Sequence, residues 1–251
     1  MKQIGNIKMS ADSDLPAPPG WGTDELTQFF DLARANQYAT FVHKRPVVDR
    51  LVALDRCFMT ISADWTNPQG LVPANLLLRT HSAFRAAAAA AMAGQTAETY
   101  PLVRSALEYA AYALRIHDTP GLAEIWLRRH DDDAGRKAVL KAFTMADLRT
   151  MIASKNRKAA EVYSVLYERS IDFGGHPNER AITGNMDMVK HDDHSSVAQI
   201  YLQGDGPALD QALKTVAQAG VCCLEVLQEV FPARFELLGV RAEILNLRRG
   251  L

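Results

Sequence analysis

Six consecutive alanines, Ala86–Ala91, follow Arg85 in the stretch VPANLLLRTHSAFRAAAAAAMAG. Alanine is the strongest helix former, and its side chain ends at Cβ. A helix carrying this run can therefore lie very close to a neighbour. The reading is a helix over 72–93, a turn at Gly94-Gln95, and a second helix over 97–117. Leu102, Val103, Ala106, Leu107, Ala110 and Leu114 give that second helix a broad apolar face. So short a connection makes the two antiparallel. A chain committed to this pair must complete its core with further helices.

The rest of the sequence supplies them. A first helix starts near Thr23, whose hydroxyl can cap the next turn, with Phe29, Phe30, Leu32 and Ala33 as its apolar side. Pro46 suits the first turn of a second helix, which carries Val47, Val48, Leu51, Leu54, Phe58 and Ile61 at helical spacing and ends at TNPQG. A shorter helix follows Pro120-Gly121, and two or three more run to about Asp172. After Pro177 the helical period fades. Met186 and Met188 alternate with polar residues, and Val197–Leu202 is β-prone. Helix returns from Pro207 to Phe231, and a last amphipathic helix follows Pro232. The expected fold is all-α, a bundle of about eight to ten helices with a small extended or β-hairpin insertion near 185–203. The expected organisation is a flexible N-terminal arm, 1–20, and one helical domain, 21–251.

Composition narrows the function classes. With 28 Lys and Arg against 29 Asp and Glu, the formal net charge is −1. No global basic field favours a polyanion, so RNA or a charged small molecule would need a local patch. The longest weakly polar run is too short and too alanine-rich for a membrane span. The N-terminal residues lack the apolar core of a signal peptide. The three cysteines, Cys57, Cys222 and Cys223, give neither a disulfide framework nor zinc-ligand spacing, and a cytoplasmic location is the expectation. No cofactor motif is present. The alanine face and the apolar C-terminal helices are candidates for a homodimer contact.

Two separated segments carry the candidate chemistry. Arg104 and Glu108 stand four apart in an otherwise apolar helix and so share one face. Partial burial of such a pair would call for partners and would favour a site. The second segment is YERSIDFGGHPNER, 167–180. Its glycines can close a helix, and Pro177 forbids continuation while drawing His176 towards extended backbone. That explains the break but not the choice of histidine, the side chain best suited to acid–base work near neutral pH. The expectation is that His176 meets Glu108 and Arg104 across the bundle, with Arg169 as a further catalytic candidate. Tyr167, Ser170 and Asn178 are the ligand-binding candidates.

The R-S-x-x-E helix after an alanine-rich helix, and the later Y-x-x-S-x-x-x-x-x-H-P segment, resemble uncharacterised bacterial all-helical proteins placed near the HEPN superfamily. Arg104, Ser105, Glu108, Tyr167, Ser170, His176 and Pro177 carry that resemblance. It extends loosely over 70–230. It implies a helical bundle and, for its ribonuclease members, an Arg and a later His with four to six residues between them. Arg169 and His176, with six residues between them, occupy those positions here. A third cluster, HDDHSS from His191 to Ser196 with Asp187 nearby, offers imidazole and carboxylate ligands. Three functions are therefore carried forward. The first is a helical binding or regulatory protein, associated with stress or defence. The second is a metal-independent ribonuclease using Arg169 or Arg104 with His176. The third is a metal-dependent hydrolase using His176, His191 or His194 with Asp187 or Glu108. The first is preferred because it requires no further chemistry.

Overall fold

The computed structural model describes residues 2–4, 7–9, 16–65, 70–177 and 179–251. Among them the chain is all-α, with twelve α-helices and a small antiparallel hairpin inserted between the ninth and tenth. The expected TNPQ turn and nine of the twenty residues of the N-terminal arm lie outside the described residues. Two described pieces of that arm, Lys2–Ile4 (β1) and Ile7–Met9 (β2), pair antiparallel.

The alanine run sits where its small side chains are needed. Helices α3 (Leu71–Met92) and α4 (Thr96–Asp118) form the most extensive pairing in the molecule. Ala83, Ala87, Ala90 and Ala91 are buried, as are Ala106, Ala110, Ala111 and Ala113 of α4. Gly94 makes the turn in the left-handed region, φ 82°. A Cβ there would also stand 2.2 Å from the carbonyl oxygen of Gln203. Of the run itself, Ala87, Ala90 and Ala91 are buried within the chain, while Ala86 and Ala89 are exposed.

Helix α10 (Pro207–Val230) is the central strut: sixteen of its 24 residues are buried. It packs on α4, α3, α2 (Arg45–Ser62) and α8 (Arg157–Ser170). The stretch between α4 and α8 divides into α5 (Leu122–Leu127), a 3₁₀ turn, α6 (Asp133–Ala142) and α7 (Met145–Lys155). Capping side chains set its boundaries. Asp132, Thr144 and Asn156 each accept from a backbone N–H three residues on, satisfying donors that the first turn leaves free. Helices α11 (Pro232–Leu237) and α12 (Val240–Leu247) close the C-terminal end, where Arg234 donates to the carbonyls of Ile61 and Ala63.

Helix α1 (Glu25–His43) differs from the expectation in two ways. Its cap is Asp24, which accepts from Thr27 N–H at 2.9 Å, while Thr23 donates to the Gly20 carbonyl. A carboxylate there also opposes the positive end of the helix dipole. Furthermore, Thr40 is its one buried residue. Polar side chains hold α1 down: Asn36, Gln37 and Thr40 donate to the carbonyls of Ala93, Ala89 and Met92 at the end of α3.

The break after α8 is a π turn, Ile171–Gly175, followed by α9 (Glu179–Thr183). Phe173 packs on Tyr100, ring centroids 5.4 Å apart. At Gly174 the backbone comes so close to α4 that a Cβ would stand 2.2 Å from the Ala97 carbonyl oxygen. The glycine therefore serves a close helix–turn contact. The insertion that follows is the expected hairpin, β3 (Met186–Lys190) and β4 (Ser195–Gln199), in register from Met186↔Gln199 to Lys190↔Ser195. Its root is anchored: Thr96 donates to the Asn185 side-chain oxygen at 3.0 Å, and Gln203 N–H donates to the Gly94 carbonyl at 2.8 Å.

Candidate functional site

Arg104 and Glu108 form the ion pair their spacing foretold, Nε to Oε1 at 2.8 Å. The same carboxylate oxygen accepts from the Tyr167 hydroxyl at 3.2 Å. The Arg104 guanidinium lies 5.1 Å from the Tyr167 ring centre and that of Arg149 lies 5.9 Å from it. Arg149 is in turn paired with Glu168. Burial, then the Glu108 charge, pushes the Tyr167 phenol above its ordinary range. Both guanidiniums already have a carboxylate, so the cluster is charge-balanced. Its pairs are partly exposed, and each contributes about 0.2–1 kcal/mol. Beneath it Tyr163 is fully buried and stacked near Tyr167, with its hydroxyl unpaired among the described residues. An unpaired buried hydroxyl costs about 1–3 kcal/mol.

The other candidates go elsewhere. Arg169, two residues beyond Tyr167 on α8, points to the α10 side. Its Nη1 donates to Gln218 Oε1 at 2.7 Å and to Thr215 Oγ1 at 3.2 Å. Ser170 is buried and donates to the Tyr167 carbonyl at 2.6 Å, which occupies its hydroxyl. His176 follows the π turn in extended backbone, φ −141°, as its neighbour Pro177 requires. It is exposed and makes no hydrogen bond to Glu108, whose partners are Arg104 and Tyr167. The expected His176–Glu108–Arg104 meeting is corrected accordingly. The π turn anchors on the first turn of α4, through Ala97 and Tyr100, one to three turns away from Arg104 and Glu108. Asn178 lies outside the described residues.

The His–Asp segment forms the hairpin tip. The His191 and His194 rings stack at 4.4 Å. His191 Nε2 is 2.9 Å from Ser196 Oγ, and His194 Nδ1 is 2.6 Å from Asp193 Oδ1. Among the described residues no three His, Cys, Asp or Glu side chains are arranged to hold an ion.

One partly buried polar constellation left no mark that the sequence made plain. Asp55 of α2 receives Arg85 Nε at 2.6 Å and Nη2 at 2.8 Å, and sits 2.7 Å from His81 Nε2. His81 is buried and stacked flat on Phe58, ring centres 5.1 Å apart. The carboxyl is desolvated, but Arg85 and His81 more than offset this and hold it far below the usual carboxylate range. The ionised acid fixes His81 Nε2–H as a donor. The signal was present: His81 and Arg85 stand four apart on the apolar helix α3, as Arg104 and Glu108 do on α4. The constellation ties α2 to α3.

Grooves on the described surface include two beside these clusters. One of about 220 Å³ runs between α8 and α10, with Arg169 and Gln218 at its polar end. The other, about 300 Å³, lies between α2 and α12 and includes Arg56, Cys57 and Glu243. Burial pushes the Cys57 thiol up to about 11, so it is a poor nucleophile at neutral pH. All ten residues of the hairpin strands β3 and β4 are exposed. No family model, curated protein or solved structure matches the chain.

Proposed function

We propose that the protein is a helical binding protein whose recognition element is the β3–β4 hairpin. The observation that carries this reading is a ribbon exposed on both faces yet anchored at its root. A two-stranded ribbon alone in water is marginal, and this one gains its order from Asn185 and Gln203 docked on the α3–α4 turn. Such a device holds an open strand edge out from a rigid bundle.

The hydrogen-bond phase identifies the groups on offer. Ile200 N–H donates to the Asn185 carbonyl and His191 N–H to the His194 carbonyl, at the two ends of one register. By antiparallel alternation the backbone groups of Asp187, Val189, Ser196 and Ala198 face inward. Those of Met186, Met188 and Lys190 on β3, and of Ser195, Val197 and Gln199 on β4, face outward. Met186, Met188 and Val197 also share one face of the ribbon. The partner fitted to this edge is an extended polypeptide that adds as a third strand, with apolar side chains at alternate positions. Asp192 and Asp193 at the tip favour a basic residue at the corresponding end. The Arg104 cluster supports the same reading, since its charges are mutually satisfied and hold α4, α7 and α8 together.

The test uses peptides selected from a random library on the purified protein. Proline at an outward position removes the edge donor while leaving the ladder intact. Met188→Pro or Val197→Pro, whichever edge is used, is expected to weaken the selected peptide at least about tenfold, the loss of roughly one edge hydrogen bond and its neighbours. Selected peptides that bind both variants as well as wild type would end the proposal.

A further inference from the structure

Helix α10 is buried along most of its length, yet Gln211, Thr215 and Gln218 recur on it at spacings of four and three and so share one face. Thr215 is fully buried. Its hydroxyl donates to the Gln211 carbonyl at 2.7 Å and accepts from Gln211 Nε2 and from Arg169 Nη1 of α8, each at 3.2 Å. Gln218 Oε1 accepts from the same Arg169 nitrogen at 2.7 Å. Through Thr215 and Gln218, the polar face of the central strut fixes one guanidinium.

That guanidinium has no acid. The carboxylates nearest to it in sequence are all paired elsewhere: Glu161 with Arg157 at 3.3 Å, Glu168 with Arg149, and Asp172 with Arg180 at 3.6 Å. Among the described residues Arg169 donates only to neutral acceptors, and only through Nη1. Its Nε and Nη2 have no acceptor there and are not among the buried atoms left unsatisfied, so this edge of the fork is open to solvent. Nε and Nη2 together can hold a carboxylate through two parallel hydrogen bonds.

Arg169 lines the groove of about 220 Å³ between α8 and α10 and is the one cation among its lining residues. Val162, Val165 and Leu166 form the apolar wall, leading to Arg169 along one face of α8. Val165 is 58% exposed. Glu161 closes the far end, about 12 Å from Arg169 at ~1.5 Å per residue. At a water's share of about 30 Å³, the space takes roughly seven non-hydrogen groups. A single cation at the end of a short apolar wall fits one negative charge on a short hydrocarbon body. A phosphate monoester would leave charge unanswered, and Glu161 opposes a second acid at the other end.

We infer that the α8–α10 groove binds a small monocarboxylate of about five to seven carbons, its carboxylate on the Nε–Nη2 edge of Arg169 and its hydrocarbon along Val162, Val165 and Leu166. The inference does not depend on the hairpin as a recognition element.

Titration of the full chain with hexanoate, followed by backbone amide NMR shifts, tests it. The shifts saturate at millimolar hexanoate and cluster on residues 161–169 and 211–218. Hexanol, the neutral counterpart, and inorganic phosphate bind at least about tenfold more weakly. Arg169→Gln removes the charge and weakens hexanoate at least about tenfold, while Arg169→Lys, a point charge without the fork, falls between. Val165→Asp places an acid in the groove at an exposed position and also weakens hexanoate, so the test decides even if Arg169→Gln does not fold. Circular dichroism verifies each variant. An arginine that only ties α8 to α10 gives a lower melting temperature in Arg169→Gln and no saturable shift in wild type, which overturns the inference. Hexanol binding as well as hexanoate, or hexanoate indifferent to both groove variants, overturns it as well. Tighter binding of N-acetyl-valyl-leucine than of hexanoate does so by assigning the groove to a peptide C-terminus.

Discussion

Asp55 concentrates more electrostatic work than any residue that the sequence singled out. Its carboxylate answers Arg85 and His81 of α3 at once, and its folded pKa is depressed. A depressed carboxyl contributes stability that is fully present above its unfolded value, near 3.9, and is lost as pH falls below that towards the folded value. Wild type is therefore expected to lose stability below about pH 4 more steeply than Asp55→Asn. At neutral pH the variant is expected to be less stable by about 2 kcal/mol, the worth of a hydrogen bond to a charged group. Urea unfolding across pH 2–7 measures both. Gly174 offers a steric counterpart. Its φ is ordinary extended backbone, so only space is at stake. A Cβ 2.2 Å from the Ala97 oxygen must push α4 or the π turn aside. Gly174→Ala is expected to cost about 2 kcal/mol and to lower the melting temperature by roughly 4–8 °C, read by calorimetry.

At the scale of elements, legibility followed the amount of local information. The α3–α4 pair was readable almost to its ends, because an alanine run, a glycine turn and an apolar face all agree. The hairpin was readable from Met186 and Met188 alternating with polar residues. For α1 the periodicity was read correctly as helical, but its inward side was not. Phe30 and Leu32 look like core residues in sequence and are exposed, while the helix is held by Asn36, Gln37 and Thr40. Side chains donating to a distant helix end leave no periodic trace. The Arg104–Glu108 pair was legible for the same reason that helix spacing is, whereas His176 depended on where a π turn would aim it. Tertiary packing of Phe173 on Tyr100 decides that. Asp55 was missed because it lies within an amphipathic helix whose apolar positions explained the helix without it.

The whole molecule separates into a packed bundle and a ribbon that contributes little to it. Core residues come from α2, α3, α4, α8 and α10, with flanking helices sealing the ends. The hairpin contributes no residue to that core. Replacing residues 187–198 with two glycines, so that Asn185 and Gln203 keep their bonds, is expected to change the melting temperature by less than about 3 °C, as for other changes remote from the core. Differential scanning calorimetry checks it, and a larger drop would mean that the ribbon braces the bundle. No described helix is long and apolar enough to cross a membrane.

The alanine-rich pairing of α3 and α4 has a consequence for the order in which this chain acquires structure. Alanine has no rotamers to freeze, so the contact forms without the side-chain entropy that leucine or methionine would surrender. The two helices are neighbours in sequence, and a turn of a few residues closes quickly and at little entropic expense. Both have high intrinsic propensity, so each is partly formed before they meet. Per residue ordered, this is the least demanding tertiary contact in the molecule. The central strut α10, which begins only at Pro207, then finds a ready-made two-helix groove rather than having to organise one.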